Sequence, residues 1–448
     1  MPAATSTPSA ASADAAAPLP AGGAWAWFAT PDRRLLVLSI VLQLALGVLL
    51  GHSYDTRVFM GTGYLVGAGQ NPYVPQDLSA VFQHVNFDVM TTIGYPPPWP
   101  IVLGAVYRGV YAIVPQLLVY NLAIKIPVIA ATIGLAYLVA AVLQNLGAQA
   151  AACRRAWAFL LFNPLVLYVS AAWGQIDVIV TLFAVAALVL VWAGRWASSA
   201  ALLALAVCVK PTPLPIVLVV LARLLGRSPR QALRYAAVFA GGIVFFYVIP
   251  FPLFGWSIDP ILPHGNAHFH MYGALSYITV VRLLRDPILL PEHWWLIGLL
   301  WVPALAVGLL FLRRGGGFED LVRNSAALVL IFFLTRTFLA EPNVVLVLPL
   351  VLLLTALGGL DRRILIALWV IPLVFTVFNA SPLQLLWVAF PGAMQASLTA
   401  VADYHGLLLA AKAALVVAWQ VTGWWTVVSC LKGGSARRTT PDGLAAWT

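Results

Sequence analysis

The sequence predicts an all-α polytopic membrane protein, and three observations lead there. Of its 448 residues, 62% are hydrophobic and only 9% are charged, far less charge than a soluble surface of this size needs. Apolar runs of about 17 to 25 residues recur along the chain, the length of a helix crossing a bilayer. No succession of short alternating segments, the mark of a membrane β-barrel, is visible.

The apolar runs fall at roughly 35–51, 98–114, 117–144, 156–172, 175–193, 198–223, 235–254, 294–312, 322–339, 342–359, 363–379 and 406–430. Allowing for broken segments, they predict a bundle of about 11–14 transmembrane helices. Residues 1–30 are rich in Ala, Ser, Thr and Pro and contain no Lys or Arg. They read as a disordered tail rather than a cleavable signal. The membrane domain then occupies 31–431, and 432–448 form a second, cytoplasmic tail. Basic residues cluster between the runs, at Arg33/Arg34, Arg154/Arg155, Arg195, Arg223/Arg227/Arg230/Arg234, Arg313/Arg314/Arg323, Arg362/Arg363 and Lys432/Arg437/Arg438. Placing them in the cytoplasm puts the N-terminus there too and leaves 52–97, 173–177, 255–293, 335–343 and 380–405 outside. Those segments hold Asp55, Asp77, Asp88, Asp177, Asp259, Asp286, Glu292, Glu341 and Asp403.

Two runs break the required even count. The first is 117–144, which hides a break unless one basic pair is misplaced. The second is 198–223, where Lys210-Pro211-Thr212-Pro213-Leu214-Pro215 interrupts the helix. A short hairpin or broken helix with Lys210 near its tip is expected there, lining a cavity. The loops 52–97 and 255–293 are long enough for short helices on the membrane surface, including an amphipathic one near 277–285.

Several function classes are excluded or disfavoured. The net charge of +10 comes from loop clusters, with no basic stripe interleaved with aromatics, so no nucleic-acid partner is expected. Cys153, Cys208 and Cys430 are far apart and show no disulfide or metal spacing. Phosphate-loop, dinucleotide and zinc-helix motifs are absent, so a nucleotide-sugar donor handled on the cytoplasmic side is not expected.

Asp55 sits at the mouth of the first apolar run, under the long polar segment 56–98. A carboxylate there is placed to act as a general base on a membrane-anchored substrate; a solvated acid paired with Arg57 is the alternative. Trp173-Gly174-Gln175-Ile176-Asp177 follows Asn163-Pro164, and Gln175 and Asp177 either bind sugar hydroxyls or are simply solvated. A lysine within a membrane segment costs about 2.5–3.5 kcal/mol on insertion scales, so Lys210 reads as a phosphate contact, with snorkelling as the alternative. Arg336, in Thr335-Arg336-Thr337-Phe338-Leu339-Ala340-Glu341-Pro342-Asn343, offers a fork that suits phosphate, or else pairs with Glu341. His264, His268 and His270 lie within seven residues. No acid is adjacent to complete a metal site, so polar lining of a sugar site, or a plain loop, is the better reading.

The ordered set Asp55, Gly69-x-Asn71-Pro72-Tyr73, Tyr95-Pro96-Pro97, Asn163-Pro164, Gly174-Gln175-x-Asp177 and Lys210-Pro211-x-Pro213 resembles the C-superfamily of integral-membrane glycosyltransferases (GT-C). The likeness is closest to its polyprenyl-phosphate-mannose-dependent α-mannosyltransferase branch and the related GPI mannosyltransferases. It covers about 35–225, and beyond that only 336–343.

The resemblance implies a hexose, mannose by the branch, moved from a polyprenyl-phosphate donor to a lipid- or glycan-linked acceptor on the outer face of the plasma membrane, with inversion. It maps the catalytic acid to Asp55. The donor phosphate is assigned to Lys210, Arg336 and Arg57, and the substrate to Tyr95, Gln175, Asp177, His268, Glu341 and Asn343. Many relatives carry two adjacent acids where this chain has Tyr54-Asp55; a second acid would be Asp88 or Asp177, and the departure favours a reaction without metal or other cofactor. A transporter or lipid flippase explains the helices equally well, but predicts mid-membrane charges and matching halves. A non-catalytic scaffold leaves the folded first loop unexplained.

Overall fold

A computed structural model describes residues 32–82, 93–259, 273–284, 294–313, 317–379, 382–402 and 404–432. Both tails, Asp88, Asp286, Glu292, Asp403 and the histidines 264, 268 and 270 lie outside them. The chain is an all-α polytopic membrane protein. Its strands among the described residues are two dipeptides, β1 (Gly273–Ala274) and β2 (Phe338–Leu339), paired in parallel.

The first helix, α1 (Arg33–Leu49), is started by Asp32, whose carboxylate accepts from the amides of Arg34 and Leu35, an N-cap satisfying two of the free first-turn donors. The polar segment expected after it is not a loop at its start. Asp55 opens a buried helix, α2 (Asp55–Gly67), which packs on α3 (Pro98–Val106). Gly63 permits that approach: a Cβ there would lie 2.8 Å from the Leu103 carbonyl oxygen and closer still to the Tyr120 hydroxyl.

The run 117–144 is one unbroken helix, α4 (Leu117–Asn145), with Pro127 inside it. The expected break is not there, because lost donors in a buried helix are tolerated where neighbours re-satisfy the freed carbonyls. After α5 (Ala150–Phe162), the Asn163 side chain accepts from the amides of Leu165 and Val166 and Pro164 takes the first helical position of α6 (Pro164–Leu167). Asn163-Pro164 is thus a helix start, with Pro where its missing N–H costs nothing. The chain then widens into a π-helical turn, Tyr168–Trp173, which ends at Gly174 with φ +93°.

α7 (Asp177–Trp192) and α8 (Trp196–Val209) pack antiparallel. The break expected at Lys210 is present: α8 stops at Val209, Lys210 is extended, and α9 starts at Leu214 and runs to Leu225. α9 leans mainly on α10 (Pro229–Ile243) and on the later helix Phe318–Thr335 rather than back on α8. A short helix, α11 (Ile278–Leu284), occupies the expected amphipathic segment. There follow α12 (Trp301–Leu310), α13 (Phe318–Thr335), α14 (Leu348–Ala356), α15 (Arg362–Asn379), α16 (Pro391–Ala402) and α17 (His405–Lys432). α13, α15 and α17 pack together.

Five helical stretches, beginning at Leu117, Ala150, Pro229, Arg362 and Gly406, are long and apolar enough to cross a bilayer. Five more apolar helices have only 10–17 residues. The expected crossings are therefore carried partly by short helices whose ends lie inside the bundle. The basic clusters at Arg33/Arg34, Arg154/Arg155, Arg195, Arg223/Arg227/Arg230/Arg234, Arg313 and Arg362/Arg363 sit at one set of helix ends, where buried Arg323 ties Glu319 to the Gly359 carbonyl. Asp55, Asp177, Lys210, Arg336 and Glu341 sit at the other set.

Candidate active site

The end of α1 sets up the site. Gly51 donates its amide to the Leu385 carbonyl at 2.7 Å, and a Cβ at Gly51 would come within 2.7 Å of Val388, so only glycine passes there. A turn through His52, Ser53 and Tyr54 leads into α2. Asp55 occupies its first turn, where the helix dipole favours a negative charge.

The Asp55 Oδ2 is held from two sides. The Trp173 Nε1–H donates to it at 2.6 Å, and the His52 Nδ1 lies 3.2 Å away. The His52 and Trp173 rings stack at 4.4 Å and 17°. Asp55 Oδ1 has no hydrogen-bond partner among the described residues, and the side chain stays 21% exposed. Burial pushes this carboxyl up, but the His52 contact, the Trp173 bond and the charge of Lys210 outweigh it and hold it below the usual carboxylate range. Asp55 is thus an oriented, ionised carboxylate with one oxygen free.

Beside it stands a second cluster. Lys210 Nζ bonds both Asp177 oxygens, at 2.9 and 2.8 Å, with Asp177 fully buried. The ammonium also lies 5.7 Å from the centre of the Tyr95 ring. The Tyr95 hydroxyl donates to Gln175 Oε1 at 3.2 Å, and the Tyr73 hydroxyl donates to the Tyr95 carbonyl. Burial, with the charges of Asp55 and Asp177 facing it, pushes the Tyr95 phenol well above its ordinary range. Asp55, Tyr95, Gln175, Asp177 and Lys210 are therefore neighbours, as the sequence grouped them. Lys210 and Asp177 satisfy each other, however, rather than standing free.

Glu341 is buried and accepts from Asn379 Nδ2 at 2.6 Å; Lys412 in turn donates to Asn379 Oδ1 at 3.4 Å. His52 lies close enough to act on the Glu341 carboxylate, which puts Glu341 on the flank of the Asp55 cluster. The alternative Arg336–Glu341 pair does not form. The Arg336 guanidinium lies 5.0 Å over the Phe332 ring and has no carboxylate partner among the described residues. No contact joins it to Asp55. Asn343 is buried, and its Oδ1 has no hydrogen-bond partner. Arg57 Nε donates to the Ser53 carbonyl at 2.5 Å, not to Asp55. His268 lies outside the described residues. Among those described, no three of His, Cys, Asp and Glu gather as a metal site would require.

An apolar groove of about 400 Å³ opens against this cluster, lined by Leu46, Leu50, Tyr168, Ala172, Leu383 and Leu386 among others. Its wall is shared with the site, since the Tyr168 and Trp173 rings are 6.2 Å apart. A smaller cavity of about 80 Å³ lies by Asn379, Lys412, Thr279 and the β1 backbone.

Sequence reasoning placed Asp55 but gave no role to its partners. His52 was legible as the residue three before Asp55, and Trp173 as the head of the Gln175/Asp177 segment. Lys125 and Asn121, described below, were missed although Lys125 lies inside an apolar run, the same signal that singled out Lys210. Asn379 and Lys412 carry no local signal; only the fold brings them to Glu341.

No curated protein matches the chain. Residues 95–342 match the profile of Glycosyltransferase family 87. The matched stretch carries Tyr95, Gln175, Asp177, Lys210, Arg336 and Glu341, while His52 and Asp55 precede it. Since it spans more than half of the chain, and the helical membrane architecture agrees, the chain belongs to glycosyltransferase family 87, a family of membrane glycosyltransferases of the GT-C type.

Proposed function

We propose that this protein transfers a hexose, mannose by its resemblance, from a polyprenyl-phosphate donor to a hydroxyl of a glycolipid or glycan, with Asp55 as general base. The observation that carries the reading is the Asp55 carboxylate, pinned at Oδ2 by Trp173 and flanked by His52, with Oδ1 unpartnered among the described residues. Orientation of a base in this way leaves one lone pair for a substrate proton.

In the proposed step the acceptor O–H gives its proton to Asp55 Oδ1 as the oxygen attacks the anomeric carbon from the side opposite the leaving group. The bond from that carbon to the phosphate oxygen breaks, and polyprenyl phosphate leaves with the electron pair. The anomeric centre inverts. Cations near the departing phosphate stabilise charge that grows along the step, and Arg336, with no carboxylate partner, suits that role better than Lys210, which Asp177 already neutralises. Arg57 stands next to Asp55 in sequence as a third cation. Gln175, Tyr95, Glu341, Asn343 and His268 are assigned to the sugar and acceptor. No metal or other cofactor enters the step. The apolar groove beside Trp173 suits a prenyl chain, whose burial is worth about 0.8 kcal/mol per CH₂. The basic helix ends face the cytoplasm in this reading, with the site on the outer side of the plasma membrane, and the outlying tails are not part of it.

The test is sugar transfer in reconstituted membranes with Asp55→Asn, which keeps the shape and the Trp173 contact. Loss of the base is expected to lower kcat by roughly 10²–10⁴-fold with donor binding retained. Transfer at the wild-type rate rejects the assignment.

A further inference from the structure

Lys125 is the most deeply buried cation in the α4 segment, 1% exposed, and the reaction as proposed does not use it. It faces no carboxylate among the described residues. Its three N–H donors go to three backbone carbonyls, Leu50, Ala172 at 2.8 Å and Gly47 at 3.4 Å. One turn earlier on α4, Asn121 Nδ2 reaches the carbonyls of Gly47 at 2.7 Å, Leu50 at 2.8 Å and Val48 at 3.2 Å. These are the carbonyls that the end of α1 leaves without helical partners, and a cation is favoured at that end of the dipole. An unpaired buried ammonium is costly, so the arrangement asks for a reason beyond filling space.

The reason lies in what the three carbonyls join. Leu50 stands two residues before His52, and Ala172 one residue before Trp173. Those two rings stack on each other and both meet Asp55 Oδ2. α1 and the π-helical turn are far apart in sequence, and Lys125 is tied to both. Gly174 completes the clasp: its φ of +93° turns the chain back over the lysine, and a Cβ there would lie 2.9 Å from Lys125 Cε.

We infer that Lys125 is a positioning residue for the transfer reaction: by clamping the end of α1 to the Tyr168–Trp173 turn, it registers His52 and Trp173 on Asp55 and so aims the carboxylate. This rests on Asp55 being the base. It predicts a defect in aim, not in donor binding, because the clamp touches backbone and no substrate.

The experiment compares Lys125→Met, Asp55→Asn and wild type in proteoliposomes, measuring kcat, donor KM and the acid limb of the kcat–pH profile per folded enzyme. Asp55 is faced by His52, Lys210, Tyr95 and Trp173, and Lys125→Met removes none of these charges. The variant is expected to lose about 10–100-fold in kcat, the scale of a roughly 1 Å misplacement, at unchanged donor KM, with the acid limb moved to higher pH as the Trp173 and His52 contacts loosen. If Met yields no folded protein, Lys125→Arg keeps donors and charge but pushes the two segments apart, and the same shift is expected. An acid limb that stays in place, whatever the change in rate or yield, overturns the inference, as does a raised KM at unchanged kcat. If Asp55→Asn is fully active, the base assignment fails and takes this inference with it; if Asp55→Asn is dead while the lysine variants keep the wild-type limb, only the clamp fails.

Discussion

Replacing Trp173 by Phe removes the indole N–H donor together with the pyrrole part of the ring, and keeps an aromatic ring on the His52 side of the Asp55 site. The ring that stacks on His52 at 4.4 Å remains aromatic, while the 2.6 Å bond from Nε1 to Asp55 Oδ2 is lost. A hydrogen bond to a charged group is worth about 1.5–3 kcal/mol net. Its loss moves the carboxyl upward, back toward the ordinary carboxylate range. The Asp55 side chain is 21% exposed, so water replaces part of the lost bond and the lower end of that energy range is the expectation. The sign follows from the direction of the present shift. His52, Trp173 and Lys210 hold Asp55 below the usual carboxylate range, so the base form survives as pH falls until the lowered value is crossed. Without the Trp173 donor, the base is lost at higher pH. Near neutrality the carboxylate is ionised in both proteins, so kcat there changes far less than the limb moves. The assay is initial-rate sugar transfer at saturating donor across the acid range. Coincident acid limbs for the two proteins would refute the claim that this indole holds the base.

Two further outcomes follow from the neighbouring charges. Asp177→Asn leaves the Lys210 ammonium, 11% exposed, without its carboxylate; breaking such a pair costs about 3–5 kcal/mol, so a clear fall in Tm in detergent is expected, and Lys210→Met in the same background should restore much of it. An unchanged Tm in the single variant would remove the pair from the framework. Arg336→Ala removes a guanidinium that no described carboxylate neutralises; losing one charge-assisted contact, about 1.5–3 kcal/mol, predicts roughly 10–150-fold weaker donor binding, and equal donor affinity would take Arg336 out of the phosphate site.

Much of the architecture was legible because a bilayer makes apolar length informative. The helix break at Lys210 could be read from three alternating prolines. The errors have physical causes. The odd count of spans between basic clusters suggested a break in 117–144, yet one helix runs through it, Pro127 included. The segment after Asp55, read as a loop with room for short helices, opens as a buried helix, and Gly63 lets α2 lie against α3 and Tyr120. At the site, Tyr95, Gln175, Asp177 and Lys210, each singled out in the sequence, lie side by side. Sequence order could not show that Lys210 spends its charge on Asp177, or that His52 and Trp173 share one oxygen of Asp55. The Asp177–Lys210 and Asp55–Trp173 pairings join residues about 30 to 120 positions apart, and nothing local encodes them; His52 alone is local to Asp55.

Helix length also sets how deep the site lies. α7 has 16 residues, α8 has 14 and α9 has 12, rises of about 24, 21 and 18 Å at 1.5 Å per residue. All three have their far ends near arginines, at Arg195 and Arg223, that anchor one surface of the membrane. Measured from there, Asp177 and Lys210 stand short of the opposite surface of a ~30 Å hydrocarbon core by roughly 6–12 Å, and any tilt increases that gap. Irregular backbone at such depth must be enclosed by protein or line a cavity, which explains why Asp177 is 2% exposed and bonded at both oxygens. A free carboxylate there would be ruinously desolvated, and so would a free lysine. The pair is thus best understood as a neutral floor beneath the site, with Asp55 above it as the one acid in the cluster that keeps both a free oxygen and partial exposure. Under the proposed function, a lipid-borne donor sinks its sugar below the headgroup level to meet Asp55, with its chain in the apolar groove alongside Tyr168, where water is scarce and an oriented carboxylate acts most strongly.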